Sequence, residues 1–225
     1  VGLDIGTTKI ACIVGEKMPN GKIEIRGYGK TDSTGVRRGI VVNIEETVDA
    51  IKSAVAQASE QSKVDIKSVS VGIAGHHIKS IQHRGTLIRE NSDIEISDKE
   101  LDKLRLDMFK LRTAPGEEIV NVIPQEYFVD GEAVGSRRPK GMLGSTLEAN
   151  FHIIVGQTSA VKNIILCIEH AGLEMENMIL EPIASAASVL GEDEKEAGVA
   201  LVDIGGGTTD IAVFYDSIIY HTAVI

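Results

Sequence analysis

One short pattern occurs twice in this chain, once near each end, and it limits the folds that the sequence can adopt. The first copy runs Asp4-Ile-Gly-Thr-Thr-Lys-Ile-Ala11, and the second runs Asp203-Ile-Gly-Gly-Gly-Thr-Thr-Asp-Ile-Ala212. An apolar run lies on both sides of each loop, which predicts two strand–loop–strand hairpins. No helix pattern follows the glycines, so neither copy resembles a P-loop. The copies align if the second has two added glycines, and they predict two similar subdomains that face one ligand.

The loops have the composition of a phosphate-binding site. Glycine lets backbone N–H groups point into one concavity, which suits phosphate oxygens. Asp4 and Asp203 enter the loops from strand ends, where they are candidates to hold a divalent cation through water. The candidate phosphate-binding residues are Gly6, Thr7, Thr8 and Lys9 in the first loop, and Gly205, Gly206, Gly207, Thr208 and Thr209 in the second.

Each of these assignments has a plainer alternative. A hairpin turn also favours Gly-Gly, so either loop could be structural. The two aspartates could cap their own turns through backbone N–H groups. Lys9 could add positive charge to the site or be a solvated strand residue, and the alignment places Asp210 at its position in the second copy.

Composition argues against several classes of function. The 225 residues carry a formal net charge of −10, which argues against a nucleic-acid surface and disfavours anionic membrane binding by this segment. Cys12 and Cys167 lie in apolar runs, which favours buried thiols over a disulfide or metal site. No apolar run approaches the roughly 20 residues of a membrane helix, and no signal peptide is visible. The chain begins inside a strand and stops in an apolar run, so we expect a fragment.

Between the two copies, the pattern predicts a mixed α/β sheet followed by an inserted unit. A short strand over Gly39–Val42 should precede a helix that Asn43 caps, and a buried strand should cover Ser68–Ile73. The insert should contain a helix that starts at Ser97. Strands should follow at Ile119–Ile123, Tyr127–Val129 and Ala149–Val155, with an exposed basic loop over Ser136–Lys140.

After the insert, the sequence returns to alternating helices and strands. Thr158 or Ser159 should cap a helix over Ala160–Ala171 that Gly172 ends. A strand over Met175–Leu180 and a helix over Ile183–Leu190 should follow, and Glu192–Glu196 should be a charged loop.

Three segments together make the chain resemble the FtsA family of bacterial cell-division proteins, within the actin, Hsp70 and sugar-kinase ATPase superfamily. They are Gly2–Ile10, residues 70–78 (Ser-Val-Gly-Ile-Ala-Gly-His-His-Ile) and Val202–Asp210. The resemblance implies an α/β fold of the actin-like, ribonuclease H-like kind, with an inserted α+β subdomain and a truncated second half. It assigns residues 1–77 and 158–196 to subdomain 1A, 78–157 to subdomain 1C, and 197–225 to the start of subdomain 2A.

The resemblance also implies a function. Members bind ATP and Mg²⁺, polymerise, link the FtsZ ring to the membrane and recruit later division proteins through 1C. They do this in the cytoplasm, at the inner face of the membrane at the division site. The FtsZ site, the C-terminal membrane helix and the adenosine motif are expected outside this segment. Glu181 is the candidate catalytic residue, as a carboxylate that orients water in what is at most a weak ATPase. Its alternative role is at the helix N-terminus, favoured by the helix dipole.

Three other members of the superfamily offer alternatives. A pilus-assembly ATP-binding scaffold has a similar plan with a 1C-like insert. A sugar kinase would need a catalytic base that the sequence does not reveal, and an Hsp70-like chaperone would lack the insert.

Overall fold

The computed structural model describes all residues from 1 to 225, in four sheets and five helices. No helix has both the length and the apolar character needed to cross a membrane. In chain order the elements are β1 (Gly2–Ile5), β2 (Lys9–Lys17), β3 (Ile23–Asp32), β4 (Val36–Arg37), β5 (Ile40–Val41), α1 (Ile44–Ser62), β6 (Ser68–Ile73), β7 (Ile78–Ile88), α2 (Asp98–Met108), β8 (Glu117–Val129), β9 (Glu132–Gly135), β10 (Thr146–Gln157), α3 (Thr158–His170), β11 (Glu174–Leu180), α4 (Glu181–Val189), α5 (Glu192–Ala197), β12 (Val199–Ile204), β13 (Thr209–Tyr215) and β14 (Ile218–Val224).

The first hairpin belongs to a five-stranded mixed sheet in the order β11-β6-β1-β2-β3. Helices α1 and α3 cover one face, and the largest hydrophobic core lies between them and the strands. As predicted, Asn43 caps α1 by accepting a hydrogen bond from the Glu46 N–H. The predicted strand over Gly39–Val42 is wrong in extent. Only β5 forms there, and it pairs with β4 in a separate two-stranded ribbon.

Helix α1 packs so closely on β3 that glycine is required at the contact. A Cβ atom at Gly29 would overlap the carbonyl oxygen of Ala54, and one at Gly27 would overlap that of Ala58. The strand therefore brings backbone, not side chains, against the helix.

The insert forms a four-stranded antiparallel sheet in the order β7-β10-β8-β9, and α2 packs on one of its faces. The predicted capping box at Ser97 and Glu100 is present. The two strands predicted in residues 119–129 are one strand, β8, which bulges where its register with β10 shifts. The sequence did not predict β7, because the polar residues after Ile81 obscure its alternation.

The two ends of the insert lie side by side. Ile78 pairs with Gly156 across β7 and β10, and the Gln157 N–H donates to the His77 carbonyl at 3.0 Å. The insert therefore leaves the five-stranded sheet after β6 and returns to it at α3 through one pair of strands.

The second hairpin belongs to a three-stranded sheet in the order β12-β13-β14, on which α4 packs. Two local predictions were wrong nearby. The charged run at Glu192–Glu196 is the short helix α5, not a loop. Helix α3 begins at Thr158, with Gln157 as an N-cap that makes no side-chain hydrogen bond. The prediction that Gly172 ends this helix is confirmed by its φ of 81°.

Candidate phosphate-binding cleft

Both predicted hairpins form, and their loops have the same length and the same closing hydrogen bond. The Gly6 N–H donates to the Lys9 carbonyl at 3.0 Å, and the Gly205 N–H donates to the Thr208 carbonyl at 2.9 Å. The strand registers make Thr208 the counterpart of Lys9. The two extra glycines in the sequence alignment are therefore not an insertion in the fold.

The same register changes the counterpart of Asp210. The alignment matched it to Lys9, but the fold places it directly opposite Asp203, in the position where Ala11 faces Asp4. Because side chains alternate along a strand, an offset of two residues keeps every later side chain on the same face. This explains why the two patterns still read alike after their loops.

The tips of the two loops contact each other. A Cβ atom at Gly206 would overlap the Thr8 methyl group, and one at Gly207 would lie 2.9 Å from the Thr7 methyl carbon. The Thr7 hydroxyl also accepts a hydrogen bond of 3.2 Å from the Gly39 N–H. Glycine in the second loop is therefore what lets it approach the threonines of the first.

A cleft of about 400 Å³ lies between the loops and the start of α4. It is lined by most of the predicted site residues, namely Asp4, Gly6, Thr7, Thr8, Lys9, Glu181, Asp203, Gly205, Gly206 and Thr208. The other two predicted residues lie beside it. Gly207 packs against Thr7 and Arg38, and Thr209 exchanges two backbone hydrogen bonds with Ile225, at 2.9 and 2.8 Å.

Acidic side chains gather at this cleft. Burial, together with the charges of Asp4, Asp210 and Asp203, raises the pKa of Glu181 to about 8. Burial is also the main cause of raised pKa values at Asp4 and Asp210, and Asp203 adds to both shifts. Lys9 opposes the shift at Asp4. The cleft therefore brings together more carboxyl groups than its own cations balance.

Two small residues position these acids. Gly72 on β6 leaves room for Glu181, whose Cγ atom would be 3.0 Å from a Cβ atom at that position. The Ser185 hydroxyl, one turn along α4 from Glu181, donates to Asp203 Oδ2 at 2.8 Å. The first turn of α4 thus faces the second hairpin.

The acidic side chains suit a hydrated magnesium ion. No three histidine, cysteine or acidic side chains lie close enough together to ligate one metal ion directly. Asp210 is 3% exposed, and its Oδ1 atom is buried without a hydrogen-bond partner. Mg²⁺ prefers oxygen ligands and keeps several waters, so an orphaned carboxylate oxygen among raised pKa values fits such an ion.

Sequence reasoning missed Asp210, Ser185 and Gly72 as site residues. The signal for Asp210 was the alternation of the strand, which places it on the face of Asp203. The signal for Ser185 was helical spacing, because residues four apart on α4 share a face. Nothing local identifies Gly72, since its role depends on a helix more than 100 residues later.

A family model described as the SHS2 domain inserted in FtsA matches residues 75–155. The cell-division protein FtsA of Pseudomonas aeruginosa is 44% identical over 226 residues, and that of Neisseria meningitidis is 41% identical over 223. These alignments cover 100% and 99% of this chain and 53% of each relative. The chain belongs to the FtsA family. It spans about half the length of the FtsA proteins that it matches.

Solved structures confirm the actin-like α/β fold that the FtsA resemblance implied. A PilM–PilN type IV pilus biogenesis complex superposes with a TM-score of 0.68 at 13% identity, over 100% of this chain and 60% of that one. The ethanolamine utilization protein EutJ from Carboxydothermus hydrogenoformans superposes with a TM-score of 0.53 at 16% identity, over 100% of this chain and 50% of that one. At these identities the likeness concerns the fold alone, and the subdomain boundaries given for this FtsA chain remain predictions.

Proposed function

We propose that this chain binds the phosphates of Mg²⁺-ATP between its two glycine loops. The observation that carries the proposal is the pair of identically closed loops, which face each other across one acidic cleft. A structural turn needs no partner loop, whereas a polyphosphate clamp needs donors on both sides.

The residues divide into two roles in this proposal. Backbone N–H groups of both loops, the Thr7, Thr8 and Thr208 hydroxyls and the Lys9 ammonium group donate to phosphate oxygens. Asp4, Asp203 and Asp210 would hold Mg²⁺ through water. When bound, the ion neutralises charge on the phosphate oxygens and relieves repulsion among the carboxylates.

Glu181 is the proposed water-orienting residue. Its carboxyl group lines the cleft at the start of α4, opposite the loops. With a pKa raised to about 8, it holds a proton near neutral pH when the cleft contains only protein groups. A cation would lower that pKa, so the carboxylate that accepts a hydrogen bond from water forms only with the site loaded. As the family resemblance implies, we propose at most a weak ATPase.

Membership of the FtsA family supports a role in cell division. We propose that the whole protein polymerises, links the FtsZ ring to the membrane at the division site and recruits later division proteins through the insert. Binding to FtsZ and to the membrane would use parts of the relatives' length that this chain does not span. Co-sedimentation of the full-length protein with FtsZ polymers tests this role, and no co-sedimentation would contradict it.

A pilus-assembly scaffold is the second candidate. The superposition on a pilus biogenesis complex favours it at the level of the fold. Sequence identity is 13% there and 44% to an FtsA protein, so cell division is preferred. A sugar kinase is less favoured, because no catalytic base for a sugar hydroxyl was identified in the sequence.

Calorimetry tests the phosphate clamp. Mg²⁺-ATP and Mg²⁺-tripolyphosphate would be titrated into the chain and into the Asp203→Asn, Gly206→Val double variant. Tripolyphosphate is included because it needs no adenosine site. We expect the variant to bind both at least ~100-fold more weakly, because it loses several hydrogen bonds to charged oxygens at roughly 1.5–3 kcal/mol each.

The matched control is the Asp193→Asn, Gly191→Val double variant, which makes the same changes at an exposed position of α5 and at the exposed residue that precedes this helix. It should bind as the unmodified chain does. Equal binding by the cleft variant, or no binding of either ligand by the unmodified chain, would mean that the hairpins are structural turns.

A further inference from the structure

Two β-bulges from different sheets meet where the insert contacts the second hairpin sheet. In β8, Gln125 has no partner on β10, and in β14, Tyr220 has no partner on β13. A bulge leaves backbone groups outside the ladder and redirects a side chain. Here the β8 bulge directs a glutamine side chain at the β14 bulge.

Glutamine amides of the insert satisfy the bulged carbonyls. Gln125, which is 8% exposed, donates its Nε2 to the Ile219 carbonyl. Gln82 on β7 donates its Nε2 to the Tyr220 carbonyl at 3.4 Å. Strand β14 lies at the edge of its sheet, so neither its bulge nor its outer side has a strand partner. These two bonds take the place of the missing ladder hydrogen bonds.

A buried histidine completes the contact. His152 on β10 is 1% exposed, and its Nε2 atom lies 2.9 Å from the Thr222 hydroxyl. Its Nδ1 atom lies 3.4 Å from Gln82 Nε2. Burial and nearby His221 lower the pKa of His152 to about 4, so the ring is neutral at physiological pH and can accept one bond and donate another. We call the side chains of Gln82, Gln125, His152 and Thr222 the latch.

The latch has an apolar side and an open side. Ile123 of β8 packs on the small core that contains Ile219, Phe214 and Leu201. On the other side, Gln82 and Gln125 line a cleft of about 650 Å³ that opens to solvent. Water can therefore compete for these bonds, which makes the contact breakable without exposing a large core.

Strand β14 connects the latch to the second glycine loop. From Thr222 to Ile225 is three residues, or about 10 Å of extended strand. Ile225 exchanges two backbone hydrogen bonds with Thr209, the first residue of the strand that follows the loop. A displacement of β14 at the latch therefore moves Ile225, which is the hydrogen-bond partner of Thr209.

We propose that the insert controls the position of the second glycine loop through the latch. With the latch closed, β14 is held on the polar face of the insert sheet and the second loop stays against Thr7 and Thr8. With the latch open, the three-stranded sheet moves on α4 alone and the loops separate. This coupling is a property of the fold and stands whether or not the cleft binds phosphate.

Amide hydrogen exchange of the ligand-free chain tests it. The variants are Gln125→Leu with Gln82→Ala, and separately Thr222→Val, which is nearly isosteric. We expect exchange at Gly205, Thr209 and β14 to become about tenfold faster in the double variant and about threefold faster in Thr222→Val. Each lost hydrogen bond should change the opening equilibrium by roughly threefold, and the double variant loses the bonds of both glutamines. The control is Gln61→Leu, which removes a glutamine bond from α1 to the Tyr28 N–H of β3.

Exchange in α1 reports global unfolding and should not change. Faster exchange confined to β14, with Gly205 and Thr209 unaffected, would overturn the coupling. Unchanged exchange throughout would overturn the latch itself. If the double variant unfolds globally, the Thr222→Val result alone decides between these outcomes.

Discussion

Replacing Glu181 by Gln should stabilise the ligand-free chain, and more so as the pH rises. The pKa of Glu181 is raised from 4.5 to about 8 by burial and by Asp4, Asp210 and Asp203. Between these two values the folded chain holds a proton that the unfolded chain releases. The free energy of unfolding therefore falls as the pH rises through this window. Glutamine has no proton to lose and similar volume, so it removes this dependence.

The size of the effect follows from the shift. A pKa difference of about 3.5 corresponds to at most about 5 kcal/mol near pH 8, at 1.36 kcal/mol for each pH unit. Glu181 is only half-buried and the cleft is open to water, so we expect about half of that limit. The gain should be close to zero at pH 5 and about 2–3 kcal/mol at pH 8.

Urea unfolding between pH 5 and pH 8.5, without nucleotide or magnesium, measures this difference. The control is Glu174→Gln, an exposed glutamate on neighbouring β11, which should leave the pH profile unchanged. A Glu181→Gln variant whose profile runs parallel to that of the unmodified chain would show that Glu181 is already ionised and well solvated. The proposed dependence of its charge on a loaded site would then be refuted.

Two further predictions concern the scaffold. Gly29→Ala should destabilise the chain by about 3 kcal/mol, because the methyl group overlaps the Ala54 carbonyl. Gly2→Ala, with open space at its Cβ position, is the control, and equal urea midpoints would contradict the tight packing of α1. Arg89→Met should cost about 3 kcal/mol above pH 5, because the buried guanidinium bonds Glu100 at 2.8 Å and two backbone carbonyls. Arg89 and Ser97 lower the pKa of Glu100 to about 2, so the contribution of this ion pair to stability is lost as the pH falls from about 4.5 towards 2. An Arg89→Met variant whose stability changes with acid pH as that of the unmodified chain does would refute the role given to this ion pair.

The sequence predicted those parts of the fold whose signals are local. The cap of Asn43, the capping box of Ser97 and Glu100, and the stop at Gly172 each lie within four residues of the group that they satisfy. The two glycine hairpins were also local. Such elements could be read correctly because their stabilising partners are neighbours in the chain.

The errors arose where a distant partner decides the structure. Strand β7 has polar residues on one face because β14 and the solvent cleft lie there, so its alternation does not look like a core strand. The charged run at Glu192–Glu196 is helical where the turn between β13 and β14 supplies donors for its last carbonyls. The Asp216 N–H donates to the Glu196 carbonyl and the Ser217 N–H to the Lys195 carbonyl, each at 3.1 Å.

The candidate site shows the same division. The repeated motif predicted the residues that line the cleft, but not the equal length of the two loops. Alignment of the two motifs suggested two added glycines in the second loop, whereas the register of β12 and β13 pairs Asp203 with Asp210. Register is set by hydrogen bonds between strands, and an offset of two is invisible in the alternation of side chains.

The paired ends of the insert have a consequence for how this fold can change. Because His77 and Gln157 are already hydrogen-bonded neighbours, the 225-residue chain could lose everything between them and be closed by a tight turn. It could equally carry a larger module on the same two strands, without stretching β6 or α3. The five-stranded sheet thus has an insertion point whose two chain ends are held side by side. What such an exchange would disturb is the distant hairpin sheet, which would then lose the surface against which its bulge is docked.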